Sequence, residues 1–197
     1  MKNYLHDYLL KLIDSGVEPV FNSVACRYGE FTIYCLIKPP ENILQLTFAP
    51  VKHEFLQNRL KRFSRKVRIT KLQQQQFQYD KIFAGYFSGK HTIFSLSLDS
   101  PLLAAGTDFQ QKVWHQINAI PYGETITYQK LAQLVGSPKG SRAAGMACGA
   151  NPLSLIIPCH RVVSVKGLGG FAGGVEVKKS LLNLEQSKKS TVSRQDW

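Results

Sequence analysis

A cysteine stands beside a histidine at Pro158-Cys159-His160-Arg161, inside the run Ile156-Ile157-Pro158-Cys159-His160-Arg161-Val162-Val163. A thiolate is a soft, strong nucleophile, and a neighbouring base or cation helps to free it from its proton. Adjacency proves little by itself, because neighbouring side chains of an extended segment point to opposite faces. The two residues can exchange a proton only if the backbone bends or a water bridges them. An isolated Cys-His pair is more often structural, its cysteine a small buried hydrophobe.

Other residues with chemical potential cluster within about fifty positions of this pair. Ser141-Arg142-Ala143-Ala144-Gly145 places one cation among small side chains, a pattern that also serves close helix packing. Tyr128 follows a capping threonine and reads equally as a core aromatic. Asn151 precedes Pro152, where a turn residue is expected anyway. The segment 167–174 (GLGGFAGG) has glycine at five of eight positions, which permits close backbone approach to a ligand and unusual dihedrals.

The elements that must position these residues are legible from periodicity. Thr107 and Gln110 have capping-box spacing, opening a helix to Asn118 with Phe109, Val113 and Ile117 inward. Pro121-Tyr122-Gly123 breaks it. Thr127 caps a short helix through Leu134, ended by Gly136, and Ser141 caps a third through Cys148, ended by Gly149. Two short helices around the turn 136–140 predict a helix-turn-helix. A last helix is expected over about 175–186, with a polar, frayed tail at 187–197.

The first hundred residues read as a small mixed sheet with helices. Helices are expected at 4–13 and 52–64, from stripes such as Tyr4, Leu5, Tyr8 and Leu12, and at 76–88. Strands are expected at 20–28 and 31–38 as a hairpin around Gly29-Glu30, at 43–48, and at 92–98. Residues 99–106 read as a linker. Seven basic residues fall within 59–71 with no acid among them. They suit phosphate contacts, but a solvated helix end and loop is the simpler reading.

Composition narrows the class. The chain has 197 residues, 44% hydrophobic and 19% charged, enough to bury a core. No apolar run approaches the roughly 20 residues of a bilayer span, and no export signal is visible near Met1. A cytoplasmic or nuclear protein with no membrane partner is expected. The formal net charge of +12 divides evenly about residue 100 and suits a polyanion such as nucleic acid. Cys26, Cys35, Cys148 and Cys159 show no CxxC pair and no zinc-finger spacing, so reduced thiols are expected.

The Pro-Cys-His-Arg-Val core resembles the signature of the O6-alkylguanine-DNA alkyltransferases, also called methylated-DNA–protein-cysteine methyltransferases. The resemblance extends in order through 109–114 (FQQKVW), 120–125 (IPYGET), 127–132 (TYQKLA), 141–145 (SRAAG), 150–152 (ANP) and the glycine loop. It covers about residues 107–186.

It implies an α+β fold. An N-terminal, RNase H-like supporting domain would span 1–100, and a winged helix-turn-helix-like domain carrying the cysteine would span 101–186. It implies irreversible, stoichiometric transfer of the alkyl group of O6-methylguanine from a flipped-out nucleotide to Cys159, with O4-methylthymine as a second candidate substrate. His160 would act as the base through a bridging water, Glu185 would orient it, and Asn151 would tie down the segment. Arg142 would fill the vacated stack, with Ser141, Ala143 and Gly145 letting the helix approach the minor groove. Tyr128 would help unstack the nucleotide and donate to O6. Phe171, Ala172, Gly170 and Pro158 would complete the base pocket. Phe171 and Ala172 replace the Tyr and Ser of some members, making the pocket more apolar.

The expected partner is double-stranded DNA with alkylated bases, met by a monomer without cofactor or metal. Two alternatives are a lesion-binding sensor, which in this family lacks the acceptor cysteine, and a helix-turn-helix regulator with an added zinc-binding cysteine domain. Some members hold a structural zinc in the N-terminal half. Cys26, Cys35, His53 and His91 have no compact zinc spacing.

Overall fold

A computed structural model describes residues 11, 15, 20–38, 42–48, 68–92, 94 and 100–192. The expected helix at 52–64, His53, most of the helix at 4–13 and most of the strand at 92–98 lie outside them.

The N-terminal part is a four-stranded mixed sheet in the order β3-β2-β1-β4. β1 (Val20–Tyr28) and β2 (Phe31–Lys38) pair antiparallel through a two-residue turn, where Gly29 takes a φ of +57° that a side chain would disfavour. β3 (Asn42–Phe48) extends β2 antiparallel, with a register shift between Leu36 and Ile37. β4 (Arg68–Leu72) lies parallel to β1. This strand was not expected, because its residues fall in the basic run. Exposed Thr70 and Lys71 suit a sheet edge, where charge deters pairing with another chain.

Helix α1 (Asp80–Ser88) starts four residues later than expected, because Gln74–Gln76 forms a separate 3-10 turn. Asp80 accepts hydrogen bonds from Tyr28 Oη (2.7 Å) and Gln74 Nε2 (2.8 Å), which ties this start to β1. The helix buries Phe83 and Tyr86 and stops at Gly89, whose φ is +77°.

The expected linker is instead a helical turn, α2 (Pro101–Ala104). Ser100 caps it, Pro101 occupies its first position, and Leu102 is buried. Helix α3 (Asp108–Asn118) has the expected capping box, with Gln110 N donating to Thr107 Oγ1 and Thr107 N to Gln110 Oε1. Its buried Trp114 donates Nε1 to Ala147 O at 2.9 Å.

β5 (Ile126–Thr127) leads into α4 (Tyr128–Leu134), capped by Thr127. After the turn comes α5 (Ser141–Gly149). Ser141 does not cap it. Gly140 holds the cap position, already drawn into the turn by donating to Ser137 O at 2.7 Å, and Ser141 is the first helical residue.

A short β6 (Val162–Val163) pairs parallel with β5. Helix α6 (Val175–Val192) runs six residues past its expected end, since no glycine or proline interrupts 175–192. Its extension carries Lys189, which pairs with Glu124 at 3.2 Å on the surface.

The two parts share one core. Leu46 N donates to Pro152 O (2.8 Å), so the segment leading to Cys159 covers the edge of β3. Among the described residues no helix is long and apolar enough to cross a membrane.

Candidate functional site

Cys159 opens a single 3-10 turn, Cys159–Arg161, which supplies the backbone bend that an extended Cys-His pair would lack. The approach to it is tightly held. Asn151 accepts from Leu153 N (3.0 Å) and donates Nδ2 to Ile157 O (2.8 Å), closing the loop 151–157 on itself. Inside it Leu155 is buried with a φ of +80°, a conformation that costs a non-glycine residue about 1–3 kcal/mol and persists only where neighbours enforce it.

Burial pushes the Cys159 thiol above its ordinary pKa. Hydrogen bonds with Asn151 and Ser154, and the nearby charge of Lys178, partly oppose that rise. The resting group is therefore a thiol, poised by groups that favour the thiolate.

His160 and Glu185 are fully buried in contact, His160 Nε2 lying 2.9 Å from Glu185 Oε1. Burial depresses the histidine, so the imidazole is neutral near pH 7. Burial would raise the carboxyl, but hydrogen bonds and charge from His160 and Arg161 outweigh it and hold Glu185 at about 2. A carboxylate only accepts, so Nε2 must carry the imidazole proton and donate it. Nδ1 is left as the basic nitrogen, and it is buried without a partner among the described residues.

Three further groups close round Glu185. Arg161 donates Nε to both carboxylate oxygens and Nη2 to Oε1 (2.8 Å), while Nη1 reaches Ile120 O at 2.6 Å. Gly123 N donates to Oε2 at 2.9 Å. Gly123 has a φ of +71°, and a side chain there would press on Lys189 and the backbone of Glu185. Tyr86 Oη donates to Oε1 at 2.6 Å.

In front of Cys159 lies an open cavity of about 570 Å³, sized for a small ligand. Tyr128, Arg142, Met146, Cys148 and Phe171 form much of its wall. Tyr128 stands between α5 and the glycine loop. A side chain at Gly145 would meet its ring only at ordinary contact distance, whereas one at Gly169 would strike the ring, which explains that second glycine beyond its φ of +70°. Tyr128 Oη donates to Gly170 O at 3.3 Å, and burial raises its pKa to about 12. Buried Lys178 pins the same loop, donating Nζ to Val162 O (2.6 Å) and Gly170 O (3.2 Å).

The structure therefore gathers Cys159, Arg142, Tyr128, Ser141, Gly145, Gly170, Phe171 and Ala172 about one cavity, with His160, Glu185 and Asn151 packed behind. Two expected pocket or helix-face residues are elsewhere. Pro158 lines a separate cavity of about 460 Å³ beside Tyr122 and Arg161, because the turn at Cys159 sends the preceding residue to the other side. Ala143 is exposed on α5 but does not line the cavity beside Cys159, since helical spacing turns it away from the face of Arg142 and Gly145.

Sequence reading missed Arg161, Lys178, Tyr86, Cys148 and Met146. Arg161 lies inside the signature, and its buried charge requires a carboxylate partner, so it could have been paired with Glu185. Lys178 and Tyr86 show no local signal. Among the described residues no three His, Cys, Asp or Glu side chains form a metal-binding group.

Residues 108–187 match the family model for the 6-O-methylguanine DNA methyltransferase DNA-binding domain. A methylated-DNA–protein-cysteine methyltransferase of Mycobacterium tuberculosis is 47% identical over 104 residues, 52% of this chain and 61% of the relative. This chain thus spans about three-fifths of the length of such curated relatives. A probable enzyme of the same name from Acanthamoeba polyphaga mimivirus is 50% identical over 106 residues, 54% of this chain and 68% of the relative. The crystal structure of the M. tuberculosis O6-methylguanine methyltransferase superposes with a TM-score of 0.70 at 31% identity, covering 85% of this chain and 94% of that one. A further structure from that organism, a complex with DNA, gives 0.64 at 31% identity over 86% of this chain and 94% of that one. By sequence and by fold, the chain belongs to the O6-methylguanine-DNA methyltransferase family.

Proposed function

We propose that this protein repairs DNA directly, moving the alkyl group from O6 of guanine to Sγ of Cys159 once per molecule. The observation that carries this reading is the placement of Cys159. It lines the cavity bearing Arg142 and Tyr128, and it precedes a neutral histidine whose Nε2 is committed to a carboxylate.

The thiol proton passes to Nδ1 of His160, directly or through water, as the sulfur attacks the alkyl carbon. The carbon–O6 bond breaks and its electron pair goes to O6. The guanine anion takes up a proton, and Tyr128 donates toward it as it leaves. Cys159 ends as a thioether, which has no easy leaving group, so the protein is consumed. Glu185 keeps Nε2 protonated and so keeps Nδ1 free to accept, while Asn151 holds the segment.

A base within the stack is out of reach, so the nucleotide must swing out of the duplex. Arg142, exposed on α5 at the cavity wall, fills the gap, and the small Ser141 and Gly145 allow close approach to the minor groove. The partner is double-stranded DNA carrying an alkylated base, bound by a monomer with little sequence preference. Residues 1–100 support this site and residues 101–186 carry the DNA contacts. The compartment is cytoplasmic, or nuclear in a eukaryote.

Replacement Cys159→Ser tests the assignment. Loss of methyl transfer from O6-methylguanine duplexes by at least ~1,000-fold, with duplex binding kept, is expected. Transfer at the normal rate would remove Cys159 as the acceptor.

A further inference from the structure

Glu185 is gripped from both parts of the molecule. His160 and Arg161 reach it from the cysteine turn and Gly123 from the loop after α3, but Tyr86 reaches it from α1, in the part read as support. The Tyr86 hydroxyl is 2.6 Å from Oε1, nearer than His160 Nε2 at 2.9 Å on the same oxygen. Tyr86 is 1% exposed, and its ring is packed between Phe94 (5.0 Å between centroids), Phe87 (5.3 Å) and Tyr122 (5.8 Å). Its hydroxyl is therefore aimed by Phe87 and Phe94 of the N-terminal part, with Tyr122 of the C-terminal part across from them.

Oε1 takes donors from Tyr86, His160 and Arg161 at once. Donors that share one carboxylate oxygen divide its charge, and each weakens the hold of the others. We infer that Tyr86 is a positioning residue of the reaction centre, whose hydroxyl competes with His160 for Oε1 of Glu185 and thereby sets the basicity of Nδ1. The inference rests on the alkyl-transfer reading of the site.

The charged and titratable groups facing this pair are few. Among the described residues Arg161, Tyr86 and Tyr122 face Glu185 beside His160, and Glu185, Arg161 and Lys178 face His160. Removing Arg161 would strand a buried carboxylate, whereas Tyr86→Phe deletes one oxygen and strands no charge. With that donor gone, Oε1 attracts the imidazole N–H more strongly. The imidazolium is then favoured, and His160 holds its extra proton to a higher pH.

The test is the rate at which the full chain, as wild type and Tyr86→Phe, reacts with free O6-benzylguanine between pH 5 and 8. Free base separates the acid–base step from DNA binding. The acid limb is expected to rise by about half a unit to one unit, with the plateau rate within about threefold of wild type. A uniform loss at every pH with an unmoved limb would overturn the inference and make Tyr86 a packing residue. The His160 ring is also titrated by NMR in the full-length Cys159→Ser protein, with and without Tyr86→Phe, where the same upward shift is expected and an unchanged titration contradicts it. If wild type reacts with neither O6-benzylguanine nor O6-methylguanine duplexes, the alkyl-transfer reading fails, and the His160 titration still decides the role of Tyr86.

Discussion

The four cysteines are all buried free thiols, two in each part of the molecule. Cys26 and Cys35 sit in β1 and β2, inside the sheet core. Cys148 and Cys159 line the cavity. Burial raises every one of them, so burial does not separate a nucleophile from a packing residue. Neighbours and access do. Among the described residues no group draws the pKa of Cys35 back down and only Tyr28 does so for Cys26, while Cys159 has Asn151, Lys178 and Ser154. Cys148 shares the opening and the Lys178 charge but lacks the adjacent histidine. The thiol of Cys159 differs from the other three in combining an adjacent histidine, a nearby cation and an open cavity.

Weakening the base through its carboxylate gives the largest expected effect among these neighbours. Glu185→Gln leaves Arg161 buried without its carboxylate and lets the imidazole lose its preferred tautomer. Transfer to Cys159 is expected to slow by ~100- to 1,000-fold, with stability down by about 3 kcal/mol, read by single-turnover kinetics and urea unfolding. A normal rate would mean that the network behind Cys159 does not distinguish it from Cys148.

Altering the entrance comes next. Arg142→Ala is expected to slow reaction with O6-methylguanine in duplex DNA by ~10- to 100-fold, and with free O6-benzylguanine by no more than about threefold. Equal losses on both would place Arg142 in the chemistry instead of in base flipping.

The sequence showed these two cysteine environments unequally. The helices of the C-terminal part carry strong local signals: the Thr107–Gln110 box, the Thr127 cap and glycines at the ends. Helices α3, α4 and α5 stand where the periodicity placed them, while α6 runs on to Val192. Cys159, Asn151, Arg142 and Tyr128 were legible because they sit in short, ordered motifs. Strand β4 was hidden because Arg68 and Lys71 look like surface charge until β1 is beside them. Tyr86 and Lys178 were hidden because their partners lie 99 and 16 positions away, and no periodicity encodes such pairings. Helix α2 was legible in principle, since Ser100-Pro101 is a start signal, but a four-residue helix has little pattern to show.

The buried pair also makes stability depend on pH. Glu185 sits at about 2 in the folded chain against about 4.3 when unfolded, and His160 lies below its unfolded value of about 6.5. In both cases the unfolded chain binds protons more readily. The stabilisation is therefore complete above about pH 6.5, shrinks as His160 is forced to charge, and shrinks further between about pH 5 and 2. Urea midpoints across pH 3–8 check this, and Glu185→Gln is expected to flatten the lower part. Stability that rose on acidification would contradict the assigned protonation states.

The smallest expected effect completes the comparison. Cys35→Ala is expected to lower stability by about 1 kcal/mol and to leave the rate of transfer unchanged, because the thiol only fills space in the sheet. A change in rate at constant stability would show that the sheet thiols are coupled to the site.

The most direct test of the central claim is intact-protein mass spectrometry after incubation with duplex DNA carrying O6-methylguanine, followed by peptide mapping. A gain of one methylene's mass is expected, saturating at one per protein and confined to the peptide that contains Cys159. No gain while the lesion stays bound and intact, or a gain mapping to Cys148, would contradict it.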